Sequence, residues 1–420
     1  MKAPFAGIFR SLRGFNYRVW VAGDFVSNIG TWVQRTAQDW LVFTQLTHHD
    51  ASAVGVVMAL QFGPQLLLLP WTGFAADHFN QRKLLIATQA TMAGLALALG
   101  SLVVSGVVQL WHVYIFAFLF GCAAAFDAPV RQTFVAELVG DDDLHNAVAL
   151  NATSFNVARM IGPAVCGVVI ATIGTGWAFL INAASFIAVL MSLALLRVAD
   201  LRPNARAQRA RGNFTEGLRY VWGRPDLRAI LVMLFLIGTF GLNFPIFIST
   251  MAVSVFHCDA RGYGVLSSIT AIGTVSGALI GAGRTRPKFG TLLVGATVFG
   301  LGCALAAIAP CYWLFAGALV VIGAAALTFA NTTNSLMQLS TEPAMRGRVM
   351  ALRVGIALGG TPIGAPIVGW VANTFGPRWA LGVGAASGFA AAVVAVIAFT
   401  QIGLDSDPPA SPGKERHRRL

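Results

Sequence analysis

Apolar residues occur in long runs along this chain, not in short alternating segments. A helix needs about 20 such residues to cross roughly 30 Å of hydrocarbon. A spanning β-strand would instead show alternation over about ten residues, which the sequence lacks. The pattern predicts an all-α membrane protein with twelve transmembrane helices, formed by runs centred near Ile29, Gln61, Leu95, Ala123, Arg159, Ile187, Thr239, Ile272, Val298, Gly323, Ile363 and Ala390.

Composition supports a membrane protein. Of the 420 residues, 56% are hydrophobic and only 11% are charged, whereas soluble domains average about 25% charged residues. The first run is too long and too polar for a cleaved signal peptide, so we expect it to remain as a helix. The five cysteines show no metal-ligand or disulfide spacing, and we expect no metal site and no cofactor.

Basic residues are concentrated in alternate loops, which predicts the orientation. The net charge of +12 arises mainly from residues 2–18, 82–83, 197–228, 284–288, 346–348 and 413–420. The opposite loops contain only Arg261 and Arg378. By the positive-inside rule both termini are expected in the cytoplasm, and the charge faces a bilayer, not a nucleic acid.

A drop in hydrophobicity near the middle divides the chain into two six-helix halves. The expected parts are a cytoplasmic N-terminus (1–16), an N-terminal bundle (17–197), an Arg-rich cytoplasmic linker (198–227), a C-terminal bundle (228–402) and a basic cytoplasmic tail (403–420). The segments "GTGWAFLINAASF" from Gly174 and "GPRWALGVGAASGF" from Gly376 match at a shift of 202 positions. Such a repeat predicts bundles with pseudo-two-fold symmetry and a substrate site between them, near the midplane.

The first run carries a polar stripe, and two interpretations remain open. A charged residue at a helix centre costs about 2.5–3.5 kcal/mol on insertion scales, so it normally faces protein or water. Arg35 and Asp39 could form an ion pair that only braces two helices. Alternatively, the stripe lines a transport path, with Asp24, Arg35 and Asp39 as proton-coupling candidates and Asn28, Thr31 and Gln38 as cavity candidates.

Polar residues in other runs extend this hypothesis. Arg159, in the fifth run, could be a counter-ion for an acidic group on the first or fourth run, bind an anionic substrate, or serve structure alone. Asn151, Asn243, Asn331 and Asn334 are further cavity candidates, and interhelical hydrogen bonding explains them equally well. Pro245 and its neighbours predict a bent helix in the seventh run.

No constellation for catalysis is apparent, and we expect that the protein is not an enzyme. Its histidines are scattered and no phosphate-binding loop is present. An ion gradient is the simplest energy source, since one charge moving through 100 mV supplies about 2.3 kcal/mol.

The segment "GFAADHFNQRK" resembles the G-x-L-a-D-[RK]-x-G-[RK]-[RK] signature of the major facilitator superfamily. His78, Asn80 and Gln81 depart from that signature. In the family this motif locks the cytoplasmic side, which implies a latch in which Asp77, Arg82 and Asp127 take part. The full candidate latch set is Gly73, Asp77, Arg82, Lys83, Asp127 and Arg131.

The segment "ARMIGPAVCG" resembles the helix 5 signature of proton-coupled exporters. The candidate set is Arg159, Gly162, Pro163 and Gly167. Small residues here are expected to pack against the eighth run, where Gly273, Gly277 and Gly281 recur. The segments "FDAPVRQTFVAELV", "EGLRYVWGRPDLR" and "RGRVMAL" are similar to the bacterial transmembrane secretion effector or enterobactin-exporter-like subgroup.

Together these features predict a monomeric, multi-pass transporter of the bacterial inner membrane. Its partners are expected to be protons, the lipid bilayer and a small amphipathic substrate such as a drug, siderophore or secondary metabolite, exported by alternating access. A proton-coupled uptake symporter shares the same fold. A non-transporting sensor or lipid-handling scaffold is the alternative of another class.

Overall fold

The protein is helical throughout the residues that its computed structural model describes: 9–202, 214–282, 288–343 and 345–402. Three-residue to six-residue turns of 3₁₀ or π geometry join or interrupt the longer helices. The α-helices are α1 (Phe15–Trp40), α2 (Ala51–Leu67), α3 (Leu69–His78), α4 (Gln81–Val104), α5 (Leu110–Leu138), α6 (Asp141–Ile173), α7 (Thr175–Leu195), α8 (Phe214–Trp222), α9 (Pro225–Leu236), α10 (Phe244–Thr250), α11 (Ala260–Ala282), α12 (Phe289–Ile308), α13 (Tyr312–Ser340), α14 (Arg346–Phe375) and α15 (Pro377–Ile402).

Ten segments of the described chain are long and apolar enough to cross a membrane, one of them formed by α9 together with α10. The bent pair α2 and α3 would make an eleventh. Helix α1 has 26 residues, but four charged side chains lower its hydropathy. The chain is therefore an all-helical, multi-pass membrane protein, while twelve spans and cytoplasmic termini remain predictions.

Prolines account for the two main breaks in the helices. Between α2 and α3 the axis bends by 56°, with Pro64 inside α2 and Pro70 at the start of α3. The seventh run is interrupted by a π-helical segment, Ile237–Gly241, before α10, whose second residue is Pro245. Proline lacks the N–H that continues a helix, so the regular hydrogen bonding is interrupted at such positions. The bend expected around Pro245 stays a prediction.

The internal repeat extends to the backbone. Gly174 ends α6 with φ of 98° and Gly376 ends α14 with φ of 102°. These two residues are 202 positions apart, the shift that relates the repeated segments. Residues with a Cβ atom rarely adopt such angles, so glycine is required at both helix ends.

The two halves touch through glycines on one side of the bundle. We call this the far side, where α2 begins and α14 ends, and the other the terminal side, where α1 begins. A Cβ atom added at Gly55 of α2 would lie 2.4 Å from the Ala365 carbonyl oxygen of α14. One added at Gly167 of α6 would lie 2.7 Å from the Ala260 carbonyl oxygen of α11. Backbones this close leave no room for side chains between the halves.

The expected packing of the fifth run against the eighth is confirmed, but through different glycines. Gly264 of α11 faces the Pro163 carbonyl of α6. Gly273 and Gly277 instead face α13, in their own half, where an added Cβ would meet the carbonyl oxygen of Val320 or of Ala324. The small residues of α11 thus pack against two helices: Gly264 packs against α6, and Gly273 and Gly277 pack against α13.

Three expected segments lie partly or wholly outside the described residues. The tail, 403–420, is outside, as are residues 1–8 of the N-terminus and 203–213 of the linker. The described part of the linker contains α8, whose Gly217 packs on Arg348 of α14. The expected division into bundles remains a prediction.

The glycine contact predicts how the far side can be opened. Gly55→Leu overpacks the α2–α14 crossing, which costs typically 1–3 kcal/mol and should shift the protein toward a state with the far side parted. Spin labels at His48 and Trp379 should then report a new, longer distance population. Gly63→Leu, in the same helix but with open space around it, should leave the distances unchanged. Identical distance distributions in the two variants would contradict this packing role.

Candidate functional site

A cavity of about 710 Å³ lies among α1, α2, α4, α5, α6 and α7, toward the terminal side. We call it the vestibule. Its wall along α6 is open, since Val148 is 51% and Phe155 43% exposed. The polar and charged side chains that line it are Asp24, Asn28, Thr31, Arg35, Gln65, Asp127, Arg131, Gln132, Asn151 and Asn156.

Three of these residues form a charged cluster, which we call the triad. Arg131 of α5 forms an ion pair with Asp24 of α1. Its Nη2 atom lies 2.8 Å from Asp127 Oδ2, one turn earlier on α5, and its Nε atom donates to the same oxygen at 2.9 Å. One guanidinium thus joins two carboxylates on two helices.

Neighbouring polar groups complete the hydrogen bonding of both carboxylates. Asn28 donates to Asp24 at 2.8 Å. Thr88 and Gln89, on α4, donate to Asp127 at 2.8 and 2.6 Å. Both carboxylates are buried, with Asp24 0% and Asp127 5% exposed. Buried charges require such partners.

The triad carries one more carboxylate than it has cations. With both carboxylates ionised, its net charge is −1. Protonating either one leaves a one-to-one ion pair, so Arg131 stays paired in both protonation states. This arrangement can therefore take up and release a proton beside water without leaving a buried cation unpaired.

A second cavity, of about 230 Å³, lies between the two halves. We call it the interface cavity. Arg35 and Arg159 both lie against the indole ring of Trp32, with their Cζ atoms 5.1 and 5.5 Å from its centroid. Across the cavity, residues of the C-terminal half close it: Leu242, Phe244, Pro245, Ile248, Tyr263, Ser267, Thr270, Ala271 and Thr361.

The expected ion pair between Arg35 and Asp39 is not formed in the structure. Among the described residues, neither Arg35 nor Arg159 forms an ion pair. Asp39 instead faces the Tyr263 hydroxyl of α11. Arg159 does not neutralise Asp24 either, because the cation that pairs with Asp24 is Arg131. The bracing interpretation of the first run therefore fails for this pair.

The candidate latch residues occupy two separate places. Arg82 Nε donates to the Leu193 carbonyl oxygen at the end of α7, at 2.8 Å, while Asp127 belongs to the triad. The expected contact between Arg82 and Asp127 is thus absent in this arrangement. Gly73 is buried and Lys83 exposed. The side chain of Asp77 lies outside the described residues, so the latch stays a prediction.

The remaining sequence-based candidates divide in a similar way. Asn28, Thr31 and Asn151 line the vestibule. Four others lie outside the lining of both cavities: Gln38, Asn243, Asn331 and Asn334. Gln38 and Asn243 are buried among packed helices, and Asn331 is exposed.

The helix 5 set lies on α6, where its small residues determine how closely that helix packs against its neighbours. An added Cβ at Gly162 would lie 2.4 Å from Trp32 Cβ of α1, so this glycine lets α6 approach the residue that both arginines contact. Pro163 lines the interface cavity. Sequence reasoning missed Trp32, although it lies one turn from Asn28 on the polar face of α1.

Polar groups tie the halves together on the far side. Asp50 caps α2 by accepting from the Ser52 and Ala53 amides at 2.8 and 3.2 Å. Asn373, near the end of α14, donates to Asp50 and accepts from the Ala51 amide at 2.8 Å. One asparagine thus links the capped end of α2 to the other half.

The N- and C-terminal halves of the chain pack closely on the far side. A polar, charged cavity lies within the N-terminal half, and a smaller one lies between the halves. The fold is similar to a bacterial homologue of the human lysosomal transporter Spinster, solved in an inward-facing and unoccupied conformation. The TM-score is 0.73 at 14% identity, with 98% of this chain and 100% of that chain covered.

The chain belongs to the transmembrane secretion effector family of the major facilitator superfamily, whose pattern matches residues 5–411. It is 25% identical to the staphyloferrin A transporter of Staphylococcus aureus, over 84% of this chain and 89% of that protein. It is also 25% identical to the multidrug efflux pump Tap of Mycolicibacterium fortuitum, over 83% and 87%. The protein is thus a transmembrane transporter of this superfamily.

Within the described ranges, no group of three or more histidine, cysteine, aspartate or glutamate side chains could hold a metal ion. The five cysteines are free.

The triad predicts a strong effect of its cation on stability. Arg131→Ala leaves two buried carboxylates without their shared cation, and breaking a buried pair typically costs 3–5 kcal/mol. We expect a marked fall in the thermal unfolding temperature of the purified protein. Arg18→Ala, at an exposed position on the same side of the bundle, should change it little. Equal shifts in the two variants would show that the triad is not a structural ion pair.

Proposed function

We propose that the protein exports small amphipathic compounds across the bacterial inner membrane in exchange for protons. The observation that carries the proposal is the triad, which places an excess buried carboxylate beside a solvent-accessible cavity. The names of two relatives, a multidrug efflux pump and a staphyloferrin A transporter, support the substrate class and, in the first case, the direction.

Charge distribution supports an orientation with the terminal side in the cytoplasm. The basic residues within 10–18 and 82–83 lie near helix ends on the terminal side. In that orientation the vestibule faces the cytoplasm and the glycine contacts close the periplasmic side. The structure then corresponds to the inward-facing state, ready to collect substrate from the cell interior.

In the proposed exchange of substrate for a proton, the triad carries the proton. In the inward-facing state, substrate enters the vestibule and favours release of a proton from the triad to the cytoplasm. Rocking of the halves then separates α2 from α14 on the far side and closes the terminal side. Substrate leaves, a carboxylate of the triad takes up a proton from outside, and the protein returns. The inward proton gradient drives the cycle in the export direction.

The latch acts in the other half of this cycle, when the terminal side is closed. Arg82, now bound to the end of α7, lies near the terminal-side ends of the helices, where the halves must meet when the vestibule closes. We propose that Asp77 and Arg82 stabilise that closed arrangement. Because the motif is needed only there, it need not be assembled in the inward-facing state.

Of the triad carboxylates, we assign the proton to Asp24. Asp127 accepts hydrogen bonds from three residues, Thr88, Gln89 and Arg131, whereas Asp24 accepts from two, Arg131 and Asn28. Asp24 is also on α1, the helix whose polar stripe reaches the interface cavity.

Asp24→Asn should therefore uncouple transport from the proton gradient. In proteoliposomes with an imposed pH gradient, the wild type should move ethidium, chloramphenicol or naphthalene-2-sulfonate against its concentration gradient. The variant should lose this gradient-driven movement by at least tenfold but retain exchange of substrate for substrate, because its cavity is intact. Asp259→Asn, at an exposed loop position, is the matched control.

Three outcomes would contradict parts of this proposal. Gradient-driven movement that survives unchanged in Asp24→Asn would remove Asp24 as the coupling group. Movement in the direction of proton flow would make the protein an uptake symporter. No flux of any of the three compounds in the wild type would favour a non-transporting role.

A further inference from the structure

We propose that the interface cavity binds the anionic head group of an amphipathic substrate, with Arg35 and Arg159 as its cationic partners. The vestibule would hold the apolar body of the same molecule. This inference rests on the proposed transport function and specifies its substrate class.

The interface cavity has an excess of positive charge. Its lining contains two guanidinium groups, Arg35 and Arg159, against a single carboxylate, Asp39. Asp39 is near enough to act electrostatically on Arg35 but makes no ion pair with it. With these groups ionised, the cavity carries a net charge of +1 between two helical halves. Unbalanced charge at membrane depth is costly and marks functional positions.

The arginines also have unused hydrogen-bonding capacity. Arg35 Nε is buried and has no hydrogen-bond partner among the described residues. A guanidinium has five N–H donors and no acceptor. Buried donors are almost always satisfied, so an orphan of this kind requires an explanation. An anion in the cavity would supply both the missing acceptor and the missing negative charge.

Trp32 holds the two cations without neutralising them. Its ring attracts both guanidinium groups, and Phe62 adds a second aromatic contact 5.6 Å from Arg35 Cζ. A cation–π contact attracts the charge but offers no hydrogen-bond acceptor for the N–H groups. The arrangement therefore positions the cations and leaves their donors available to a ligand.

Cavity size and connection indicate an amphipathic anion. At about 230 Å³, the interface cavity can hold an acidic group with one or two rings. Trp32, Arg35 and Phe62 line both cavities, so a longer molecule can extend from one into the other. Phe244 and Pro245 offer apolar walls from the opposite half.

A matched pair of probes tests this charge preference. Naphthalene-2-sulfonate and naphthalene-2-sulfonamide have nearly the same shape, but only the first is an anion at neutral pH. Equilibrium dialysis with radiolabelled probes, on protein in lipid nanodiscs and without any gradient, should show tighter binding of the sulfonate. Hydrogen bonds to charged groups contribute about 1.5–3 kcal/mol, so we expect a preference of roughly 10- to 100-fold.

Substitutions test whether the preference for the sulfonate arises in the interface cavity. Arg35→Gln and Arg159→Gln should each weaken sulfonate binding about tenfold and leave sulfonamide binding unchanged. Arg35→Lys and Arg159→Lys keep the charge and should retain most of the preference. Asp39→Asn removes the only carboxylate of the cavity lining and should strengthen sulfonate binding. Arg18→Gln, at an exposed position, is the control for total charge.

Three results would overturn the assignment: equal binding of the two probes by the wild type, no binding of either, or equal weakening of both in the glutamine variants. The third would indicate that the arginines only maintain the shape of the cavity. If a glutamine variant does not fold, the wild-type preference and the Asp39→Asn result still decide. Because no proton gradient is used, failure of coupled export would leave this result intact, and the reverse also holds.

Discussion

Ionised side chains inside a low-dielectric helical bundle need either a partner or water, and this constraint organises the structure. Asp24 and Asp127 are satisfied by sharing Arg131 and by three further hydrogen bonds. Arg35 and Arg159 lack such partners and lie instead at a cavity. These five charged residues therefore all line at least one of the two cavities.

Close packing on the far side makes the two ends of the bundle interior different, because the halves meet at one end only. Gly55 and Gly167 allow backbone contacts between the halves that any side chain would prevent, and the capped start of α2 is tied to α14 by Asn373. The α2–α14 and α6–α11 crossings are extensive. The alternating access proposed above requires that both crossings separate.

Helix α1 connects the two charged sites. Asp24 and Arg35 are eleven residues apart, a rise of about 16 Å along a helix. The triad has an excess of negative charge and the interface cavity an excess of positive charge. In the proposed cycle, the proton and the anionic head group therefore occupy different sites on one helix. They would then be exchanged without direct competition for one group.

Hydrophobic runs predicted the long apolar helices, ten of which are long enough to cross a membrane, and the repeated segments begin at Gly174 and Gly376, where two helices end at glycines with matching angles. Helical periodicity also predicted the polar face of α1, because the spacing of residues determines which side of a helix they share. It could not identify which helix that side faces. Arg131, not Arg159, pairs with Asp24, and Gly273 packs within its own half, because helix order and rotation depend on contacts between residues far apart in the chain. Only the tertiary structure decided these partners, and with them the location of the charged cavities.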